Sequence, residues 1–484
     1  MKNLESRADA LNSKLLIIIF VNKNIQYISY ISGSDILMMT GSLIGHSKRL
    51  IFCLLILGFS SSALFSQAGK IINKYARVIS RGDFQVVVDS ISAFNASGGD
   101  TVLIIQMKGV AINASDVLGY GTTVEQKVGI PGRYEFLITQ SAVPGSGTTG
   151  TITFFTKINK YNPAGDVQII KVPSYNSYTN SNVLTCKQWD RNSKTGGVLA
   201  MIVGKTLTLN KNIDVSAKGF GGGKDTVGLG NCSDPSGILL RYTFPRSYQN
   251  AGYKGEGLAS HQSFCADPCI PGALPLYLKG QGALFTGGGG GNGKFSGGGG
   301  GSNRGIGGQG GVESYLCSNL NRGGYPGVSV TGTAADTING GIFLGGGGGS
   351  STRSTGSVST AGGNGGGIVI IVTDQLIGNG NSILADGKSV STAKQNAGAG
   401  GGGAGGSILI SSNSLLNIGL SAKGGKGGNH IDGFGDGGGG GGGLLWISQT
   451  SVPSSVTNSL DGGAAGIDTT SNTSTADPGT AGLP

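Results

Sequence analysis

Four segments of the chain repeat one phrase: a Gly-Gly pair, a short aliphatic run, a second apolar stretch, and a small-residue turn that returns to glycine. They begin at Gly196-Gly197 (GGVLAMIVGKTLTLNKNIDVSAKG), Gly366-Gly367 (GGIVIIVTDQLIGNGNSILADG), Gly405-Gly406 (GGSILISSNSLLNIGLSAKG) and Gly442-Gly443 (GGLLWISQTSVPSSVTNSLDG). The last three start 39 and 37 residues apart, in the period range of stacked repeat architectures. One such unit cannot bury its apolar face alone, so the recurrence implies coils stacked as a parallel β-solenoid. Alternation such as Ile213-x-Val215 and Ile418-x-Leu420 puts apolar side chains on one face of each coil. Aligning the turns brings Lys218, Asp386, Lys423 and Asp461 to one position before a glycine. If the last three phrases stack in order, Asp386, Lys423 and Asp461 form a charge ladder with rungs about 4.8 Å apart. Exposed pairs of this kind contribute about 0–1 kcal/mol each, so the ladder bears on register more than on stability.

The chain holds 95 glycines in 484 residues, and they concentrate in runs at 287–291, 297–301, 345–349 and 437–443. A collagen triple helix needs glycine at every third position, and these runs lack that period. A disordered linker would not alternate with aliphatic strands such as residues 367–372 (GIVIIV). Packed glycine remains: segments that lie against each other because no side chain intervenes, pairing as adjacent polyproline-II-like strands. Charged residues make up 12% of the chain and the net charge is +10. No Lys or Arg stripe accompanies that charge, which argues against nucleic-acid binding.

Lys48-Arg49, the apolar run at 50–59 (LIFCLLILGF) and Ser60-Ser61-Ser62-Ala63 have the order of a secretory signal peptide. The run is shorter than the about 20 residues of a membrane span. Residues 1–37 then read as a mis-assigned extension before a start at Met38 or Met39, and 38–66 as the signal; peptides recovered from 1–37 would overturn this. Residues 67–185 read as a β module, a small sandwich or barrel, with strands expected at 85–88, 101–106, 134–139, 151–156 and 167–172. The first solenoid phrase occupies 186–224, a cysteine-containing and glycine-rich insert 225–365, the remaining solenoid repeats 366–463, and a polar linker-like tail 464–484. The expected fold class is therefore all-β, a sandwich- or barrel-like module followed by a glycine-rich solenoid.

Residues able to carry chemistry are few. His261 and His430 are the histidines beyond the signal. His261, Cys265 and Cys269 follow an H-x3-C-x3-C spacing with Cys232 upstream, so a zinc site is arithmetically possible. Cysteines in an exported protein oxidise more readily than they bind metal, which makes Cys186, Cys232, Cys265, Cys269 and Cys317 disulfide candidates. Their odd number leaves at least one unpaired or joined to another chain, and connectivity stays open. Asp432-Gly433-Phe434-Gly435-Asp436-Gly437 has the composition of a calcium-binding glycine-aspartate turn, but it occurs once, as a plain polar turn would. Glycine-loop nucleotide motifs arise by chance in such a composition, and Gly293-Lys294 is followed by Phe295 where a phosphate loop needs Ser or Thr. Arg81-Gly82-Asp83 is an integrin-type tripeptide for which chance is the simpler account. Trp189, Trp446 and Tyr253 could stack on sugar rings, although core or hairpin roles are commoner. No G-x-S-x-G elbow or distinguished carboxylate pair occurs. No catalytic residue, metal ligand or cofactor site is assigned.

Residues 98–109 (GGDTVLIIQMKG) and 172–223, with Cys186, Trp189 and the SAKG turn, resemble the front part of large Bacteroidetes surface proteins. The Phe65-Ser66-Gln67 end of the signal fits the same source. The resemblance covers roughly residues 67–450. It implies secretion, gliding or adhesion. Such proteins typically continue into immunoglobulin-like or PKD-like repeats and a C-terminal sorting domain for type IX secretion, neither of which occurs in this chain. It brings no catalytic residues. The expectation is an exported, non-enzymatic adhesin-like protein whose glycine loops lie against polysaccharide, cell-surface or matrix partners or solid surfaces. The alternatives are a carbohydrate-processing β-helix enzyme and an ice-binding glycine-rich protein.

Overall fold

A computed structural model describes residues 17–21, 24–28, 38–39 and 69–483, the last other than 128, 229–240, 260–277, 314–321, 331–340, 358–360, 394, 432 and 450. The chain divides into two compact units, Met1–Gln67 and Ala68–Pro484. In the first, β1 (Ile17–Val21), β2 (Asn24–Ile28) and β3 (Met38–Met39) pair antiparallel in that order. The apolar run at 50–59 lies outside the described residues. No helix among the described residues is long and apolar enough to cross a membrane.

The second unit opens with β4 (Lys70–Ile71), β5 (Lys74–Arg81), β6 (Gln85–Val88), the short helix α1 (Ile91–Phe94), β7 (Thr101–Gln106), β8 (Val110–Ile112), β9 (Thr123–Lys127), β10 (Tyr134–Pro144), β11 (Gly150–Phe154) and β12 (Val167–Lys171). Six of these close an antiparallel barrel in the order β10-β11-β6-β5-β12-β7. Of the two architectures the strand spacing allows, the barrel is the one formed. Its interior holds Val102, Ile104, Ile152, Phe154, Val167 and Ile169, with Ile91 and Phe94 of α1 packed among them. Leu103, Ile105 and Ile170 alternate with these and enter a second core outside the barrel. A strand covered on both faces needs apolar residues at every position, which explains why β7 reads TVLIIQ.

Next come β13 (Ser174–Tyr175), β14 (Tyr178–Asn180), β15 (Leu184–Thr185), β16 (Val198–Leu209), β17 (Ile213–Asp214), β18 (Ile368–Ile377), β19 (Ser382–Leu384), β20 (Ser407–Ser411), β21 (Ser414–Leu416), β22 (Ile418–Ser421), β23 (Leu444–Ile447) and β24 (Val456–Ser459). They build two parallel sheets. One runs β13-β16-β18-β20-β23, with β14 beside β16 and β21 beside β18; the other runs β24-β22-β19-β17-β15-β4. Each Gly-Gly phrase supplies the first sheet and then the second. Between the sheets pack Leu199, Met201, Val369, Ile371, Ile408 and Ile410 from one side and Ile213, Ile383, Ile418, Leu420 and Val456 from the other. The opposite face of the first sheet, through Val198, Ala200, Ile368 and Ile370, meets the barrel exterior and Phe285, Phe343 and Leu344 of the glycine-rich region.

Two expected boundaries move. Residues 70–71 and 174–185 belong to the parallel sheets, with Ser174 beside Ile202, Tyr178 beside Leu207, and Leu184 between Lys70 and Ile213. This stretch is one further layer of the stack, hidden from pattern reading because it lacks the Gly-Gly pair. The tail is also more than a linker: Gly466 N–H donates to Gly437 O at 2.8 Å, Gly479 to Gly463 at 2.8 Å, and Leu483 to Gly443 at 3.1 Å.

The glycine runs at 287–291, 297–301, 345–349 and 437–443 are buried throughout. They form a core made of backbone, not the surface loops expected from composition. Hydrogen bonds from the run at 297–301 leave in three directions with a three-residue period. Gly297 and Gly300 donate to Gly311 (2.8 Å) and Gly308 (2.8 Å), Gly298 and Gly301 to Ala399 (2.9 Å) and Gly402 (3.0 Å), and Gly299 and Ser302 to Gly289 (2.9 Å) and Thr286 (2.8 Å). Three residues per turn is the geometry of polyproline II, whose backbone groups have no internal partner and so must find neighbours when buried. Packing this close excludes a β-carbon. One built on Gly289 would lie 1.8 Å from Gln281 O, on Gly300 1.9 Å from Gly439 O, and on Gly348 2.1 Å from Gly401 O. The glycine hydrogen in that direction instead points at the carbonyl, a Cα–H···O contact worth about 0.5–1 kcal/mol.

Candidate functional site

Where the barrel meets the glycine bundle, charged side chains from four segments converge. Lys108 follows β7, Asp166 caps the 3-10 turn Pro163–Gly165 with φ 55°, Trp189 follows β15, and Glu256 lies in a bundle segment. Lys108 Nζ is 2.6 Å from Glu256 Oε1 and 3.8 Å from Asp166 Oδ2, and Lys194 Nζ is 2.6 Å from Asp166 Oδ1. Glu256 Oε1 also accepts Trp189 Nε1–H at 3.0 Å. Its Oε2 accepts Gly221 N–H at 3.1 Å and lies 3.6 Å from the Arg191 guanidinium. The side chains of Lys108, Asp166 and Glu256 are 3%, 1% and 6% exposed, so these ions survive burial only because they pair. Burial alone would raise the Glu256 pKa; Lys108 and Arg191 outweigh it and hold the carboxyl down at about 2. With both oxygens engaged and no affinity for a proton at neutral pH, Glu256 serves as an anchor for the junction.

A cavity of about 150 Å³ opens beside this cluster. Among its described lining residues are Lys108, Arg191, Lys224, Arg246 and Lys254 against the single carboxylate of Glu256. Lys254 is buried. Its Nζ donates to Tyr242 O (2.5 Å), Gly280 O (3.2 Å) and Gly282 O (2.5 Å), and sits 4.4 Å from the Tyr120 ring centroid. Burial pushes its pKa well below the ordinary lysine value, with Asp116 opposing. Three carbonyl acceptors match the three N–H donors of an ammonium, so these bonds hold the charge that burial disfavours. Nearby, Lys279 lies 4.7 Å over the Tyr253 ring; burial first, then the charge of Arg246, lowers its pKa to about 8.

The residues singled out from sequence are dispersed. Cys186 is a free thiol, fully buried among Leu199, Ile213 and Val215, and burial raises its pKa to about 12. Cys232, Cys265, Cys269, Cys317 and His261 lie outside the described residues. Asp386, Lys423 and Asp461 occupy successive layers, with Gly387 N–H on Lys423 O (2.8 Å) and Gly424 N–H on Asp461 O (2.8 Å). Lys218 stands two residues off that row, because Asp214 pairs Leu384 and so aligns Ser216 with Asp386. No ion pair links the three among the described residues; Asp386 Oδ1 instead accepts Lys423 N–H (2.7 Å) and Ser421 Oγ–H (2.6 Å).

Asp436 of the glycine-aspartate turn is fully buried and faces His430, Nδ1 to Oδ1 2.5 Å, with Asp468 Oδ2 3.6 Å from Nε2; Asp432 lies outside the described residues. Among the described residues no group of three or more His, Cys, Asp or Glu is placed to hold a metal ion. Arg81 and Asp83 turn toward each other at 3.8 Å, and Arg81 Nε donates to Asn159 O at 3.0 Å, so the tripeptide does not splay its charges. Trp189 is a core residue, edge-on to Phe220 at 5.7 Å, whereas Trp446 is 46% exposed.

Sequence reading missed the Lys108–Glu256 cluster because its members are isolated charges far apart in the chain. The usable signal was a Lys-x-Glu in an otherwise neutral glycine stretch, residues 251–259. Comparisons with family models, with curated proteins and with solved structures find no match.

Proposed function

We propose that the protein is an exported structural and adhesive surface protein that binds polysaccharide and performs no chemistry. Its body is read as a glycine-rich parallel β-solenoid docked on the barrel. Equivalent contacts recurring layer by layer support that reading: Ile368 N–H to Gly197 O (2.8 Å), Ser407 N–H to Gly367 O (3.0 Å) and Leu444 N–H to Gly406 O (3.0 Å). Thr373, Ser412 and Ser448 repeat one corner, each hydroxyl bonding backbone carbonyls.

The observation that carries the mechanical role is the buried bundle, in which backbone packs on backbone in several directions. Such a core leaves little room for rearrangement and suits a rigid scaffold. Because the glycine runs are interior, adhesion is assigned to the side-chain-bearing exterior. Export is inferred from residues 48–66, and the absence of a basic stripe argues against nucleic acid as partner. The ice-binding alternative, through packed glycine segments, needs flat, regular surfaces and would show as thermal hysteresis. Purified protein is expected to stay attached to polysaccharide-coated surfaces while releasing no new reducing ends. Depolymerisation would favour the enzyme alternative, and failure to attach to any polysaccharide would refute the adhesive reading.

A further inference from the structure

We propose that the cavity edged by Arg191, Lys224 and Arg246 is a binding site for the anionic group, carboxylate or sulfate ester, of an acidic polysaccharide. This rests on the polysaccharide-binding reading above and names the ligand class for it. Five cationic residues meet one carboxylate among the described lining residues. That carboxylate is taken up by Lys108 and in part by Arg191, and Lys254 is held by three backbone carbonyls, which leaves Lys224, Arg246 and the rest of the Arg191 fork for a ligand. Lys224 and Arg246 are exposed, and neither has a carboxylate within ion-pair distance among the described residues. Arg191 touches Glu256 through one nitrogen at 3.6 Å, so most of its fork of donors remains for a planar oxyanion.

Crowding of like charge gives a second line of support. Arg246 is close enough to Lys279 to disfavour its protonation, and an incoming anion would relieve that repulsion. Tyr253, Leu278 and Leu284 supply an apolar wall suited to the C–H face of a sugar ring. At about 150 Å³ the cavity is smaller than the roughly 300–1,000 Å³ of drug-sized ligand pockets. It suits one charged group of a chain, with the rest of the polymer outside. The lining is held in place by the bundle: Glu256 N–H donates to Gly221 O at 2.8 Å and Gly222 N–H to the Asn364 side chain at 3.0 Å.

The test is calorimetric titration of the purified full chain with oligogalacturonate, a sulfated galactan oligosaccharide, neutral dextran and inorganic sulfate. It compares the native protein with Lys224→Glu/Arg246→Glu and with a charge-matched pair at exposed sites elsewhere, Lys211→Glu/Lys388→Glu. Equal urea midpoints will show that all three are folded. At least one acidic oligosaccharide should bind the native protein, more weakly as salt is raised. The cavity pair should lose about tenfold to a hundredfold in affinity, as expected for charge-assisted contacts, while the distant pair changes less than about twofold. The carboxylated and sulfated arms decide which group is read. Equal losses in both variants would reduce the effect to diffuse surface charge and overturn the site. Dextran bound as tightly as the acidic oligomers would overturn the site but leave the adhesive reading standing. Binding of inorganic sulfate alone would overturn polysaccharide as the ligand.

Discussion

A single methyl group placed at Gly300 should destabilise the whole second unit. A β-carbon there would lie 1.9 Å from the Gly439 carbonyl oxygen and 2.6 Å from its carbon. Carbon and carbonyl oxygen settle about 3.3–3.6 Å apart, so the segment carrying Gly439 would have to retreat by more than an ångström. That segment is held on several sides: Gly438 donates to Gly298, Gly439 to Asp477 and Gly440 to Gly425, at 3.0, 3.0 and 2.9 Å. Overpacking by a methyl in a dense core costs about 1–3 kcal/mol, and each buried backbone hydrogen bond lost adds about 0.5–1.5 kcal/mol. The lower conformational entropy of unfolded alanine returns about 0.4–1 kcal/mol. The expected net loss for Gly300→Ala is therefore about 2–4 kcal/mol. Gly204→Ala is the control. Its β-carbon would meet nothing nearer than 3.7 Å and it sits in β16 without positive φ, so it should be neutral or slightly stabilising. Gly419→Ala belongs between them, because its close neighbour at 2.6 Å is the movable Ser382 hydroxyl. Urea unfolding followed by circular dichroism would rank the three. Equal midpoints for Gly300→Ala and Gly204→Ala would refute the claim that backbone contact sets the glycine requirement.

Glu256→Gln should cost about 3–5 kcal/mol, the range for stranding one partner of a buried ion pair. Because the folded carboxyl titrates near 2 and an unfolded glutamate near about 4.3, its stabilisation is complete above the unfolded value and is lost as pH falls toward 2. The native urea midpoint should thus drop between pH 5 and 2, and the variant should lack that part of the drop. Cys186, with its thiol pushed up to about 12 by burial, should resist alkylation in the native state and react only in denaturant, as peptide mapping by mass spectrometry would record. Asp386→Ala should cost about 1 kcal/mol through its two hydrogen bonds, whereas Lys423→Ala should stay within about 0.5 kcal/mol; a larger effect at Lys423 in urea unfolding would restore the ion-pair ladder.

Much of the parallel architecture was readable because the Gly-Gly phrase marks each layer and its aliphatic run marks a strand. The layer at 174–185 escaped for the matching reason: it carries strand residues without the glycine entry. The barrel strands were legible from β-rich runs, but closure was not, since whether β7 and β10 meet depends on contacts between distant segments. Composition identified the runs as packed glycine yet placed them outside, on the premise that apolar side chains fill a core. At Gly289 or Gly348 nothing apolar is present to signal burial; only the neighbouring backbone, invisible in a linear reading, makes them interior. The Lys108–Glu256 pair joins residues 148 positions apart, and no local pattern announces it.

A core built of glycine backbone divides labour within the chain in an unusual way. In a side-chain core, binding sites can be opened by trimming a residue, because the neighbours relax only partially into the space. Here the glycine runs have no side chains to trim, and a β-carbon at many of their positions would collide with a carbonyl on another segment. Side chains return at the rims, as with Lys224, Arg246 and Tyr253 around the cavity. Those rims are held by a scaffold whose spacing the interlocked backbone bonds set. A cationic cavity beside a buried, paired anchor is what such a division would produce: Glu256 and Lys108 hold the junction, and in the proposed site Lys224 and Arg246 are left to meet the anion.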